Sequence, residues 1–317
     1  MPSLPNASTV VSWFFYLIPI YIFVLAPLFS QIFPSDEEDT WGLDYAVAYD
    51  AEGNEIPALN LEDDSFISPE DDVPLNCPRR EAGEDFKVHI LSRDPLVIYI
   101  ENFLTEKEAD HLVDVSVGHY TPSIIYDGST QRIDPSVRLS DRALLARDET
   151  VRCVEDRARA FQGWRPHLYI ERMWAQRYNA SGHYRHHFDW AGSAARGGDR
   201  VSTFMVYLAA DCVGGGTNFP KLGWPGSRAW CRFLECDDDR EGSSEKDGGG
   251  VAGENSGKKT EGITFKPIKG NAIFWENLRA DGRGIPETWH GAFPVKEGTK
   301  VGLNIWSWYQ PPRRHRD

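Results

Sequence analysis

Residues 1–35 contain no charged side chain, and residues 36–78 contain no Lys or Arg. The chain also lacks a C-x-x-C pair and any Cys/His spacing suited to zinc. Each absence excludes something. The Cys pattern rules out zinc ribbons and thioredoxin chemistry. No basic stripe exists to neutralise phosphates, so no nucleic-acid partner is expected. The formal net charge of −14 is local to one segment. Residues 36–78 hold 14 of the 48 acidic residues, leaving 34 acidic and all 34 basic residues in 79–317, which is neutral.

The N-terminus is rich in what the rest lacks. Val10–Phe33 is a 24-residue uncharged run. A bilayer core takes about 20 mostly apolar residues as helix, so residues 1–35 are predicted to form a transmembrane signal-anchor. A cleaved signal peptide usually has an apolar region of only ~7–15 residues behind a basic stretch, and none precedes this run. An anchor so near the N-terminus places the bulk of the chain in the secretory lumen, as a single-pass protein of the endoplasmic reticulum or secretory-pathway membrane. Five cysteines agree with that compartment, their odd count leaves at least one thiol unpaired, and Cys231 and Cys236 are spaced to bridge a small loop.

Residues 36–86 are acidic, contain Pro and Gly and show no sustained periodicity, the composition of a flexible linker. Order is expected over 87–312. The segment VHILSRDPLVIYIENFL reads as strands. Thr105 and Glu108 stand in capping-box spacing ahead of Ala109, Leu112 and Val113, and a second helix is predicted over roughly 148–162. From Leu168 onward many short strands alternate with Gly-rich turns, which predicts a mainly β domain with flanking helices. Residues 235–262, rich in Asp, Glu, Ser, Lys and Gly, cannot bury an apolar face and read as a mobile insertion.

The densest chemistry lies in HYRHHFDW, His183–Trp190. On a strand, side chains two residues apart share a face. His187 and Asp189 are the pair with that spacing, which would supply two ligands of a 2-His-1-carboxylate set on Fe(II), although His-x-Asp alone reads more readily as surface or core histidine. His183 and His186 cannot both join them without breaking strand geometry. Downstream, Lys300 follows His290 by ten residues and shares a strand face with Gly302, Asn304 and Trp306, while Val301, Leu303 and Ile305 form the opposite, apolar face. A lysine directed into a barrel mouth requires an anionic partner, and a dicarboxylate cosubstrate provides one.

These motifs, in order, resemble the prolyl 4-hydroxylase group of the Fe(II)/2-oxoglutarate dioxygenases. The matching stretches are YNASGHYRHHFD (Tyr178–Asp189), RVSTFMVYL (Arg200–Leu208), GGGTNFP (Gly214–Pro220), GNAIFW (Gly270–Trp275), and Trp289–His290 with GTK (Gly298–Lys300). The likeness spans roughly residues 90–310 and departs from the family in the long segment between GGGTNFP and GNAIFW.

The resemblance implies a double-stranded β-helix, a jelly-roll barrel with outer helices. It implies that His187, Asp189 and His290 hold Fe(II). Lys300 would pair with the far carboxylate of 2-oxoglutarate, aided by Tyr178 and Thr217. Tyr184 and Trp306 would line the position of the target residue. O2 is then a second cosubstrate, ascorbate an auxiliary reductant, and a proline-containing peptide or protein the substrate. Two rivals stand beside that reading: the same iron chemistry on a lysyl residue or small molecule, and a non-catalytic binding module on the same barrel. With Tyr178 facing inward, Asn179 of the Asn-Ala-Ser sequon faces outward, a glycosylation candidate in a luminal domain. Oligomeric state is not encoded in any of these features.

Overall fold

Alternating apolar residues in KVHILSR and LVIYIE fold as an antiparallel pair, β1 (Lys87–Arg93) and β2 (Leu96–Glu101). The computed structural model describes residues 66–69, 74–81, 85–127, 130–193, 198–236 and 261–310. The anticipated membrane run, 10–33, and nearly all of the 235–262 insertion lie outside the described residues. Among the described residues no helix is long and apolar enough to cross a membrane.

Helix α1 (Glu106–Asp114) starts at the expected capping box: the Thr105 hydroxyl accepts from the Glu108 amide, and the Glu108 carboxylate accepts from the Thr105 amide. It buries Ala109 and Leu112. Five short strands follow, β3 (Thr121–Pro122), β4 (Ile125–Asp127), β5 (Thr130–Arg132), β6 (Arg138–Leu139) and β7 (Asp141–Leu144). Their two to four residues are too few and too polar to display alternation, and the sequence reading has no strand here. Helix α2 (Glu149–Phe161) is capped by Asp148 and buries Val151, Cys153, Val154 and Ala158.

The C-terminal half is almost entirely strand: β8 (Leu168–Ile170), β9 (Trp174–Tyr178), β10 (His183–His187), β11 (Asp199–Gly214), β12 (Thr217–Phe219), β13 (Ile263–Phe265), β14 (Ala272–Glu276), β15 (His290–Ala292) and β16 (Val295–Tyr309). Nine strands form one sheet in the order β1-β2-β14-β11-β16-β9-β7-β3, with β8 also beside β16. Five form a second, β13-β12-β15-β10-β6, and β4 and β5 make a separate hairpin. Val97, Tyr99, Met205, Tyr207, Ile273 and Trp275 from the larger sheet pack with Phe219, Ile263 and Phe265 from the smaller. The apolar core therefore lies between the sheets, as burial of one face of each requires. The architecture is mostly β with few helices, as the alternation of short strands and Gly-rich turns predicts. Gly298 lets β16 approach β11 just before Lys300. Its φ is 78°, and a Cβ there would stand 2.0 Å from the Asp211 carbonyl oxygen.

Ordered structure begins before the expected linker boundary at residue 86. The Ser68 amide donates to the Ile170 carbonyl at 2.8 Å, the Phe66 ring meets Trp308 edge-on, and Cys77 is disulfide-bonded to Cys153 in α2. Scattered anchors hold this acidic stretch to the domain without needing periodicity. Cys231 and Cys236 form the expected short bridge, and Cys212 is the free thiol.

The first bridge spans 76 residues and the second 5. Loop-closure entropy then predicts that Cys77→Ala/Cys153→Ala lowers stability by about 4 kcal/mol and Cys231→Ala/Cys236→Ala by about 2 kcal/mol. Urea denaturation of the two variants measures the difference.

Candidate metal centre

His187 ends β10 and His290 opens β15, and the two are direct partners across that antiparallel pair. A register shift between Tyr184 and His187 bends β10. Asp189 lies past the strand end, so the sequence's picture of one continuous strand is replaced by a strand and a turn. The ligand atoms of His187, Asp189 and His290 nevertheless lie within 4.8 Å of one another.

Each imidazole has its tautomer set by the carbonyl two residues before it. His187 Nδ1–H donates to Arg185 O at 2.9 Å, and His290 Nδ1–H donates to Thr288 O at 2.9 Å. Both Nε2 lone pairs are thereby free for a metal. They stand 3.5 Å from Asp189 Oδ1 (His187) and 3.9 Å from Asp189 Oδ2 (His290). Burial pushes the His290 imidazole down to about 4, so it is neutral and able to ligate at physiological pH. Burial of Asp189 works to raise its carboxyl, but His290, His187 and Arg200 outweigh this and hold it far below the usual carboxylate range. Imidazole nitrogens from two histidines and one ionised carboxylate oxygen fit Fe(II). The other two histidines are engaged elsewhere: His186 Nε2–H donates to Asn218 Oδ1 at 2.7 Å, and His183 bonds the Ser181 carbonyl.

Lys300 is fully buried, with Nζ donating to Gly215 O at 2.5 Å and lying 4.6 Å above the Tyr178 ring centre. Among the described residues no carboxylate pairs with it. Thr217 is buried and its hydroxyl accepts from Tyr207 at 2.9 Å. Tyr178 donates to Gln176 Oε1 at 3.1 Å. Tyr184 stacks on the His187 ring at 3.7 Å, with the Arg138 guanidinium 4.5 Å from its ring centre. Trp306 lies under the Arg200 guanidinium at 3.7 Å. Asn179 is exposed, its Oδ1 accepting from the Thr299 hydroxyl at 3.2 Å.

Sequence reasoning missed Arg138, Arg200 and Tyr207. Arg200 forms a two-pronged pair with Glu171 at 2.6 and 2.8 Å and also donates to the Asp189 carbonyl. It stood inside a quoted motif, but its distant partner was invisible. Arg138 lies on β6, in the stretch where no strand was expected.

A mostly β fold that gathers two imidazoles and a carboxylate beside a buried lysine carries the donor set of a 2-His-1-carboxylate metal centre. The family described as the 2OG-Fe(II) oxygenase superfamily matches residues 173–308. Prolyl 4-hydroxylase 2 of Arabidopsis thaliana is 31% identical over 228 residues, covering 69% of each chain. Probable prolyl 4-hydroxylase 3 of the same plant is 28% identical over 251 residues, covering 74% of this chain and 79% of the relative. The crystal structure of a viral collagen prolyl hydroxylase from Paramecium Bursaria Chlorella virus-1, as its 2OG complex, is 22% identical with a TM-score of 0.46, covering 67% of this chain and 96% of that one. This chain belongs to the prolyl 4-hydroxylase family of the 2OG-Fe(II) oxygenases, and its cofactor and cosubstrates are Fe(II), 2-oxoglutarate and O2.

Burial pushes the Lys300 ammonium down to about 8, with Cys212 opposing the shift. A carboxylate placed beside it favours the charged form and raises the value in the complex. If Lys300 receives a carboxylate of 2-oxoglutarate, binding is strongest below about pH 8, where the ammonium already exists, and takes up a proton above it. The expected KM for 2-oxoglutarate is flat below that point and rises by up to about tenfold per pH unit above it. Lys300→Met raises KM throughout and flattens the profile; steady-state kinetics across pH 6.5 to 9.5, a range chosen to be roughly centred on that value, measures both.

Proposed function

We propose that this protein hydroxylates proline residues within a peptide or protein, coupled to decarboxylation of 2-oxoglutarate to succinate and CO2. The single observation that carries the reading is the convergence of His187, Asp189 and His290 within ligand distance. Membership of the prolyl 4-hydroxylase family supports the substrate. Bound Fe(II), with 2-oxoglutarate and O2, supplies the oxidising power that inserts oxygen into an unactivated C–H bond.

The protein's own groups do the rest. His187, Asp189 and His290 would hold the metal. Lys300 neutralises the far carboxylate of 2-oxoglutarate in a water-poor site, its direction fixed by the Thr217 hydroxyl and by that of Tyr178 once turned from Gln176. Tyr184, braced between His187 and Arg138, and Trp306, braced by Arg200, are rigid apolar surfaces for a pyrrolidine ring. Ascorbate serves as the auxiliary reductant. A double-stranded β-helix is the barrel we assign to the two packed sheets.

We also assign the domain to the lumen of the secretory pathway, tethered by residues 1–35. The 24-residue uncharged run Val10–Phe33 supports the tether. The Cys77–Cys153 and Cys231–Cys236 disulfides support an oxidising compartment.

Succinate release by the full chain, with Fe(II) and 2-oxoglutarate, is expected to rise on adding proline-rich peptides and to vanish in His187→Ala. Turnover indifferent to every proline peptide but sensitive to lysyl peptides or small molecules sinks the proposed substrate. Absence of both metal binding and turnover hands the fold to the binding-module reading. Protease treatment of intact microsomes tests the topology: the catalytic domain is protected until detergent is added, and digestion without detergent removes the luminal assignment.

A further inference from the structure

The larger sheet contributes none of the three metal ligands, yet a line of buried polar side chains runs from it to Asp189. Trp275 Nε1 is 2.8 Å from Asn277 Oδ1, Asn277 Nδ2 is 2.9 Å from Thr203 Oγ1, and Thr203 Oγ1 is 2.8 Å from Asp189 Oδ2. Trp275, Asn277 and Thr203 are fully buried and Asp189 is 5% exposed, so water is not available as an alternative partner.

The direction of every proton in this line follows from its first member. An indole N–H donates and never accepts. Asn277 must therefore present its oxygen to Trp275, which turns its NH2 toward Thr203. An amide NH2 also donates only, so the Thr203 oxygen accepts there. Its one proton is then left for Asp189 Oδ2. That oxygen is occupied as an acceptor, and Asp189 is held as a carboxylate with Oδ1 beside His187 Nε2. The line also returns to the second histidine, because the Trp275 ring meets His290 edge-on at 4.8 Å. Thr203 and Trp275 are direct partners between β11 and β14, so their spacing is set by the sheet.

We infer that Trp275, Asn277 and Thr203 are positioning residues that orient Asp189 for the metal, the indole acting as the fixed source of polarity for the line. The inference rests on the metal-site reading above. Partners of this kind are typically worth ~10–100-fold in metal affinity.

Co(II) titration of the full-length protein without 2-oxoglutarate tests it, read by visible absorption, with the melting temperature of the metal-free protein recorded in parallel. Thr203→Val keeps the side-chain shape and removes the donor, and its Kd is expected to rise by ~10–100-fold with an altered Co(II) spectrum. Thr203→Ser, which restores the hydroxyl, is expected to bind Co(II) as the parent does. Trp275→Phe frees the Asn277 amide to turn over, and a loss of about tenfold is expected. Equal affinity of Thr203→Val and parent overturns the inference and leaves the metal site standing. A Thr203→Ser protein as weak as Thr203→Val also overturns it, since the hydroxyl is then not the cause. A parent that binds no Co(II) removes both readings. Metal-free melting temperatures that match between the Val and Ser variants assign the affinity loss to Asp189 and not to folding.

Discussion

A carboxylate taken out of water must be compensated on both oxygens, and Asp189 imposes that requirement on both sheets at once. Thr203 meets it from the larger sheet by donating to Oδ2, and a metal shared with His187 and His290 would meet it from the smaller. Arg200, itself held by Glu171, fixes the backbone carbonyl of the same residue. If any of these contacts moved, a buried negative charge would lose its compensation. The site is rigid because its centre cannot relax cheaply.

Lys300 presents the opposite case. Its charge is buried against a backbone carbonyl and an aromatic face, with no acid beside it. Such an ammonium is costly, and the downward shift of its proton affinity expresses that cost. An arrangement that is unfavourable alone becomes favourable once a carboxylate arrives. A buried ammonium of this kind favours an anionic ligand over a neutral one, because a neutral ligand leaves the penalty in place.

Much of this was legible in the residues, for identifiable reasons. The Thr105/Glu108 capping box and Asp148 are local signals, and both helices begin where those residues require. The alternation of Lys300 to Trp306 is local as well, and the apolar trio Val301, Leu303 and Ile305 is buried as its period demands. The short strands β3, β6 and β7 carry no such period, since partners distant in sequence decide their pairing. The anchors at Ser68 and Cys77 were hidden for the same reason, each joining its partner across a long separation in an acidic stretch of linker-like composition. Tyr207 stood in a quoted motif, but only the fold places its hydroxyl on Thr217.

The two sheets divide the work unequally, and strand length explains how. β10 and β15 supply both histidines but have 5 and 3 residues, with a register shift inside the pair. So few ladder bonds fix a backbone loosely. β11 and β16, with 16 and 15 residues, pair from Asp199↔Tyr309 to Gly214↔Val295 and sit in the interior of the larger sheet. Those strands carry Thr203 and Arg200, which hold Asp189, and the buried Lys300. The short strands can bend to bring ligands together because the long ones define where the ligands must point. Catalytic geometry needs placement to a fraction of an ångström, and here that tolerance comes from the sheet that touches the metal least.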